Sequence, residues 1–306
     1  MLQGILAALP GAVALGIIYG IMGLGVYITY KILDVADMTV DGSFALGGAV
    51  CAVCIIGGMH PIPAVFMAIL AGAAAGILTG LLHALFDIPS ILAGILTQYA
   101  LYSINLRVMG RSNTPLLKYE TLMDLLKNKM TALIPGLKDS YIALIIGGVT
   151  VILVILILYW FFGTEVGSEI RATGNNEAMV RALGGNTRLM KVFGLAISNG
   201  LVALSGALIC QYQGYADVNS GRGMIVIGLA AIVIGNVLLG HFKSFGMKMI
   251  SVIVGSIIYQ IVIALIMQTG WIKTEDNKGF SALLVAIALA VPVMINRYKN
   301  KPKDKE

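Results

Sequence analysis

The chain has 306 residues, of which 58% are hydrophobic and only 12% are charged, and its formal net charge is +6 at pH 7. A soluble domain of this length does not need so much apolar surface, so the composition excludes an ordinary globular protein and indicates repeated membrane spans. Basic residues crowd the C-terminal tail, 297–306, where they act as a membrane-topology signal rather than as a nucleic-acid-binding surface.

Apolar runs predict an all-α polytopic membrane protein with about nine transmembrane helices. The first run has no basic segment before it and no cleavage site after it, so we expect a retained span rather than a signal peptide. One run is short, at about 16 residues, and follows a polar break with three acids. The predicted spans are 5–32, 43–58, 61–86, 88–106, 141–162, 192–213, 224–239, 247–268 and 280–295.

The longest connection in the first half, 107–140, carries six basic residues against three acids, and its pattern predicts an amphipathic helix at 119–133. Basic residues place the tail, the loop with Lys243 and Lys248, and the polar segment 163–191 in the cytoplasm. Counting spans backwards puts the N-terminus and the 107–140 connection outside. The basic residues of that connection oppose this topology, although long loops follow the charge rule weakly.

The segment 163–191 is the longest polar interval between two apolar runs in the second half. Asn176 is a good N-cap, Glu177 and Arg181 form an i,i+4 pair, and Gly184-Gly185 ends the predicted helix. A helix of about eight residues is marginal alone in water, so we expect it to dock on another surface. The pattern leaves open whether that surface is a partner protein or the membrane face of the chain itself.

An internal repeat is predicted, because Ala36-Asp37-Met38-Thr39 recurs 180 residues later as Ala216-Asp217-Val218-Asn219. The matches are few, and chance recurrence is the alternative. Both copies follow a glycine-dotted span and precede a short span, and five spans separate them. The copies would therefore cross the membrane in opposite directions, as in transporters with inverted repeats and two broken or short helices. The predicted division is a first repeat at 5–162, a cytoplasmic segment at 163–191, a second repeat at 192–296 and a basic tail at 297–306.

Catalytic chemistry finds little support in the sequence, so we predict that the chain is not an enzyme. His60, His83 and His241 have no metal-ligand spacing, and the sequence contains no phosphate-binding GxxxxGK[ST] loop. Cys51 and Cys54 fit small apolar filler better than a metal or redox site. Span centres hold almost no ionisable residues, which disfavours an ion-driven carrier. A stand-alone carrier or channel driven by a gradient remains the alternative to a transporter whose energy enters from a partner.

Neutral polar residues inside or beside the spans are candidates for a solute pathway, and each could equally join helices together. Four fall within the eight residues from Gln98 to Asn105, and the segments 41–43 and 220–223 open the two short helices. The predicted pathway residues are Asp41, Ser43, Gln98, Tyr99, Ser103, Asn105, Asn199 and Asn219.

The run GSEIRATGNNEAMVRALGGNTRLMKVFGLAISNGLVALSGAL resembles the membrane subunits of ATP-binding-cassette importers of the branched-chain amino acid and ribose permease type. The family pattern G-x-x-x-R-A-x-G-x-N-x-x-A-x-x-x-G-x-N falls, with a slip of one residue, on Gly167, Arg171, Ala172, Gly174, Asn176, Met179, Leu183-Gly184 and Asn186. The resemblance covers about residues 16–240. It departs at Gly235-Asn236, where the family usually has a glycine pair.

The resemblance implies a permease subunit for a small polar solute, most simply an amino acid, in the bacterial plasma membrane. It is closest to the branch found beside binding proteins for aromatic amino acids. It also implies partners: a cytoplasmic ATPase that holds the ATP and Mg²⁺, an extracellular or periplasmic binding protein, a second permease copy and membrane lipid. No cofactor is expected in this chain. The residues implied to couple it to the ATPase are Arg171, Asn176, Glu177, Met179, Arg181, Leu183 and Gly184.

Overall fold

Helices form nearly all of the secondary structure in the computed structural model, which describes residues 2–131, 139–242 and 244–268 and the single positions 279, 282, 283, 285, 286 and 290. A π-helical turn, Ile28–Ile32, extends the first helix, and a 3-10 turn, Val218–Gly221, precedes the tenth. The helices are α1 Leu2–Tyr27, α2 Thr39–Ile56, α3 Pro61–Leu85, α4 Ser90–Met109, α5 Leu122–Thr131, α6 Asp139–Phe161, α7 Glu165–Asn175, α8 Glu177–Ala182, α9 Thr187–Gln213, α10 Met224–Leu239 and α11 Phe245–Gln268. The strands β1 Asn113–Pro115 and β2 Tyr215–Asp217 pair antiparallel.

Seven helices of the described residues are long and apolar enough to cross a membrane, which confirms an all-α polytopic membrane protein. They are Ala8–Ile32, Thr39–Ile56, Pro61–Leu85, Ser140–Phe161, Thr187–Gln213, Val218–Leu239 and Phe245–Gln268. The predicted span 88–106 forms α4, which is helical but is not one of these seven. The predicted span 280–295 lies outside the continuously described ranges, so a total of nine stays a prediction.

Helix α9 lies at the centre of the molecule, because α1, α2 and α3 all pack along it. Its contact with α3 depends on glycine: a Cβ on Gly76 would meet the backbone oxygen of Leu195. On another face, the hydroxyls of Ser198 and Ser205 donate to the backbone oxygens of Gly25 and Ile18 in α1, at 2.7 and 2.8 Å. Small residues and serine therefore let the helix backbones approach closely, as in other membrane helix pairs.

The molecule has two distinct ends, which we call the helical end and the sheet end. α7 and α8, between α6 and α9, form the helical end, and the β1–β2 pair, reached by the last turn of α9, forms the sheet end. The described part of the 107–140 connection, residues 107–131, lies at the sheet end, and its amphipathic helix appears as α5, within the predicted 119–133. Ala14 of α1 shares a buried cluster with Met123 and Ile142, so α1 begins at the sheet end.

Both predicted helix breaks are present and have the same local geometry. After the π-helical turn the chain runs without helix until Thr39, and the Asp37 carboxylate accepts a hydrogen bond from the Thr39 N–H at 2.8 Å. After β2, the Asp217 carboxylate accepts from the Asn219 N–H at 2.7 Å. The Asp37 turn starts α2 at Thr39 rather than at the predicted residue 43, so Asp41 lies in its first turn.

Candidate functional site

Two helices form the helical end, where the sequence predicted one. The Thr164 side chain caps α7 by accepting a hydrogen bond from the Gly167 N–H at 3.3 Å. Ile170, on the inner face of α7, is buried. The Arg171 guanidinium lies 5.6 Å from the centre of the Phe245 ring in α11. Helix α7 was not predicted from the sequence, although Thr164 followed by Glu165 is an N-terminal helix signal.

Helix α8 has the predicted caps. The Asn176 side chain accepts from the Met179 N–H at 3.0 Å, and Gly184, with a φ of +84°, ends the helix in a conformation that favours glycine. The predicted pair is formed, because Arg181 donates to the Glu177 carboxylate at 2.5 Å. The caps and the ion pair therefore stabilise this short helix.

The Glu177 carboxylate also ties α8 to α9, because the Lys191 ammonium donates to it at 2.9 Å. Burial acts to raise the pKa of Glu177, but hydrogen bonds from Lys191 and Thr187 and the charges of Lys191 and Arg181 outweigh it and lower the pKa. Arg181 donates a further bond to the Thr187 hydroxyl at 3.0 Å. Glu177 and Arg181, two of the three charged residues predicted to contact a partner, are thus engaged within the chain.

Part of the outward surface of the helical end is apolar. Val180 packs inward, whereas the Met179 and Leu183 side chains are 46% and 79% exposed. Leu189 and Phe193, in the first turns of α9, are likewise about half exposed. We call Met179, Leu183, Leu189 and Phe193 the apolar docking surface.

A buried polar network closes the first break. Asp37 is 3% exposed, and its carboxylate accepts from the Asn199 amide nitrogen at 2.7 Å. The Ser43 hydroxyl donates to the Asn199 amide oxygen at 2.7 Å, and the Thr39 and Thr79 hydroxyls share a bond of 2.8 Å. Ser43 and Asn199, both predicted pathway residues, are therefore held in a saturated network that joins α2, α3 and α9.

The second break is closed by a residue of α2. The Asp41 carboxylate accepts from the backbone N–H groups of Gly223 and Ile225, at 2.9 and 3.0 Å. These groups belong to the N-terminus of α10, where the helix dipole favours a negative charge. Gly223 has a φ of +87°, which lets the chain turn sharply into α10.

Three predicted pathway residues, Asp41, Gln98 and Asn105, meet at a cleft of about 50 Å³ that Tyr102 and Arg222 also line. Asn105 is 1% exposed; its amide nitrogen bonds to the Gly42 oxygen at 3.4 Å, whereas its amide oxygen has no hydrogen-bond partner among the described residues. The other two residues of the α4 group, Tyr99 and Ser103, are exposed on the surface of α4 and do not line this cleft.

A larger cavity of about 650 Å³ lies in the sheet-end half, between α1, α10 and α11. The predicted residue Asn219 lines it, and Arg222 forms part of its wall as well as part of the cleft wall. In the sequence, Arg222 stood out only within the segment 220–223, and three tyrosines of the wall, which come from three separate helices, were not predicted. The aromatic and amide side chains that line this larger cavity include Tyr19, Tyr212, Tyr259 and Gln260.

Comparison with known proteins decides the family. Residues 2–292 match the family described as the permease component of branched-chain amino acid transport systems. The chain belongs to this family. This permease is 41% identical over 274 residues to the tyrosine transport system permease protein of Clostridioides difficile (strain R20291), covering 90% of this chain and 88% of that one. It is 34% identical to an uncharacterized protein of Rickettsia prowazekii (strain Madrid E), covering 81% and 84%.

A solved structure shares the fold of the permease. The structure of PsaBC from Streptococcus pneumoniae in complex with Fab aligns with a TM-score of 0.51 and 17% identity, covering 95% of each chain. The family assignment confirms the resemblance seen in the sequence. The chain is a multi-pass permease subunit of an ATP-driven importer in the bacterial plasma membrane, and ATP hydrolysis belongs to a partner ATPase. A solute-binding protein is its other partner.

Proposed function

We propose that this permease imports an amino acid with an aromatic side chain, as one of two copies in a homodimer embedded in lipid. The apolar docking surface supports the coupling of this import to ATP hydrolysis. Met179 and Leu183 face outward on a helix that Glu177 holds to α9 through Lys191. A docked ATPase that moves α8 would move α9 with it. The tyrosine transport permease, a relative at 41% identity, supports the solute class.

The proposed architecture is an inverted repeat with nine spans. Two observations support it: the breaks at Asp37 and Asp217 have the same hydrogen-bonded turn, and they follow helices that end at opposite ends of the molecule. In the proposed orientation the helical end and the C-terminus are cytoplasmic, and the sheet end and the N-terminus are outside. The pathway would run between the two breaks, as in other transporters with broken helices.

The coupling proposal is tested by purifying the permease with its cognate ATPase and measuring solute-dependent ATP turnover in liposomes. Leu183→Asp should prevent co-purification, because it places a charge in an apolar contact. Leu117→Asp is the matched control, since Leu117 is 88% exposed at the sheet end and should not affect ATPase binding. If both variants co-purify equally with the ATPase, the apolar docking surface is not the site at which the ATPase binds.

A second variant separates the polar residues of α8 from its apolar ones. Glu177→Lys combined with Arg181→Glu keeps an i,i+4 pair but puts a positive charge beside Lys191. We expect ATPase binding to persist through Met179 and Leu183 while solute-dependent turnover falls. Unchanged turnover in the double variant would show that the Glu177–Lys191 link does not transmit the motion.

A further inference from the structure

The cavity in the sheet-end half has the size and lining of a binding site for a small molecule. Its volume of about 650 Å³ lies within the range of about 300–1,000 Å³ that is usual for ligand sites. Most of its wall is apolar or aromatic, and a few polar side chains converge on it, which is the usual composition of such sites. Tyr19 is buried in α1 and stacks on Phe44 at 6.0 Å, so this part of the wall is rigid.

Arg222 gives the cavity a fixed positive charge. Its guanidinium lies 5.7 Å from the centre of the Tyr102 ring, and within the described residues no carboxylate forms an ion pair with it. The nearest acid in the cleft, Asp41, is engaged with the N-terminus of α10. Arg222 lies within the candidate span Val218–Leu239, where an ionisable residue indicates a functional site, and the planar fork of arginine fits a carboxylate.

The polar wall around Arg222 also has one hydrogen-bond acceptor without a partner among the described residues. The buried amide oxygen of Asn105, in the cleft that Arg222 shares, has no partner among the described residues. Asn219 and Gln260 present further amides to the large cavity. Amide oxygens can accept from an ammonium group, whereas the tyrosine rings of α1 and α11 suit an apolar or aromatic body.

We propose that this cavity is a solute site of the permease, in which Arg222 pairs with the carboxylate of an amino acid and Tyr19 and Tyr259 contact its side chain. This inference rests on the proposed function, because it assumes that the solute is an amino acid. It adds the anchor residue and the wall that would select aromatic side chains.

Uptake of labelled L-tyrosine into liposomes tests the anchor, with the permease, its ATPase and its binding protein all present. Arg222→Gln should lower uptake by about tenfold or more, the effect of losing one charge-assisted hydrogen bond, whereas Arg222→Lys should recover part of it. Arg111→Gln is the matched control, since Arg111 is exposed near β1 and lines neither the cavity nor the cleft.

The outcomes separate the two proposals. Wild-type protein that takes up no amino acid would overturn the proposed function and, with it, the site. Wild-type uptake that Arg222→Gln leaves unchanged would overturn the site alone.

A labelling experiment tests occupancy of the cavity without relying on uptake. Ser220, which lines the cavity, is changed to cysteine in a variant without the three native cysteines, and a thiol reagent is added to the purified complex. L-Tyrosine should slow the labelling of Ser220→Cys, whereas tyramine, which lacks the carboxylate, should not. Equal protection by both compounds, or by neither, would overturn the assignment of Arg222 as the carboxylate anchor.

Discussion

Glu177 holds α8 against α9 through one carboxylate that Arg181 and Lys191 share. Its pKa in the folded protein lies below its ordinary value of 4.5, so the stabilisation is complete above that value and is lost as the pH falls through the lowered one. We expect the hydrogen-exchange protection factor of α8, which is the intrinsic exchange rate at each pH divided by the measured one, to fall on acidification through this range. Glu177→Gln should exchange faster at neutral pH and show no acid step. An acid step that persists in Glu177→Gln would assign it to another group.

Single residues also show where the sequence was informative and where it was not. Asn176, the Glu177–Arg181 pair and Gly184 could be predicted, because a helix cap and an i,i+4 pair depend on residues a few positions apart. The bond between Asn199 and Asp37 joins residues 162 positions apart, and no local pattern contains it. For the same reason Arg222 was seen as part of a turn, and its place in the wall of a cavity was not.

Among the elements, the close contact between α3 and α9 predicts a large loss of stability when a side chain is added at Gly76. Gly76→Leu should destabilise the permease by about 3 kcal/mol or more, because the new side chain must push the α9 backbone away. Gly148→Leu is the matched control: it also replaces a glycine in a membrane helix, but no atom lies within 4 Å of a Cβ at that position. Thermal unfolding in detergent measures both, and equal losses would show that close packing at Gly76 is unimportant.

Element boundaries followed the apolar runs closely, and the differences have physical causes. Helix α2 begins at Thr39 because the Asp37 side chain replaces a missing backbone partner at the break. Helix α7 was missed because its sequence is polar and short, and it gains its stability from its own Ile170, which is buried in the hydrophobic core. Propensity and hydropathy describe a segment alone, whereas these two helices depend on their neighbours.

For the whole molecule, the proposed orientation predicts the outcome of cysteine labelling in cells. In a variant without the native cysteines, Leu117→Cys at the sheet end should react with an impermeant thiol reagent in intact cells. Val166→Cys, on α7 at the helical end, should react only after the membrane is opened; both positions are exposed, at 88% and 43%. Labelling of Val166→Cys in intact cells would contradict the proposed orientation and place the helical end outside.

Each helix break is closed by a side chain from the other half of the chain: Asn199 of α9 holds Asp37, and Asp41 of α2 caps α10. A thermal fluctuation that displaced one half alone would leave buried polar groups unpaired, at about 1–3 kcal/mol for each group. Independent opening of either break is therefore rare. We therefore expect the permease to have a low ion conductance in the absence of solute, so that it does not dissipate the membrane potential.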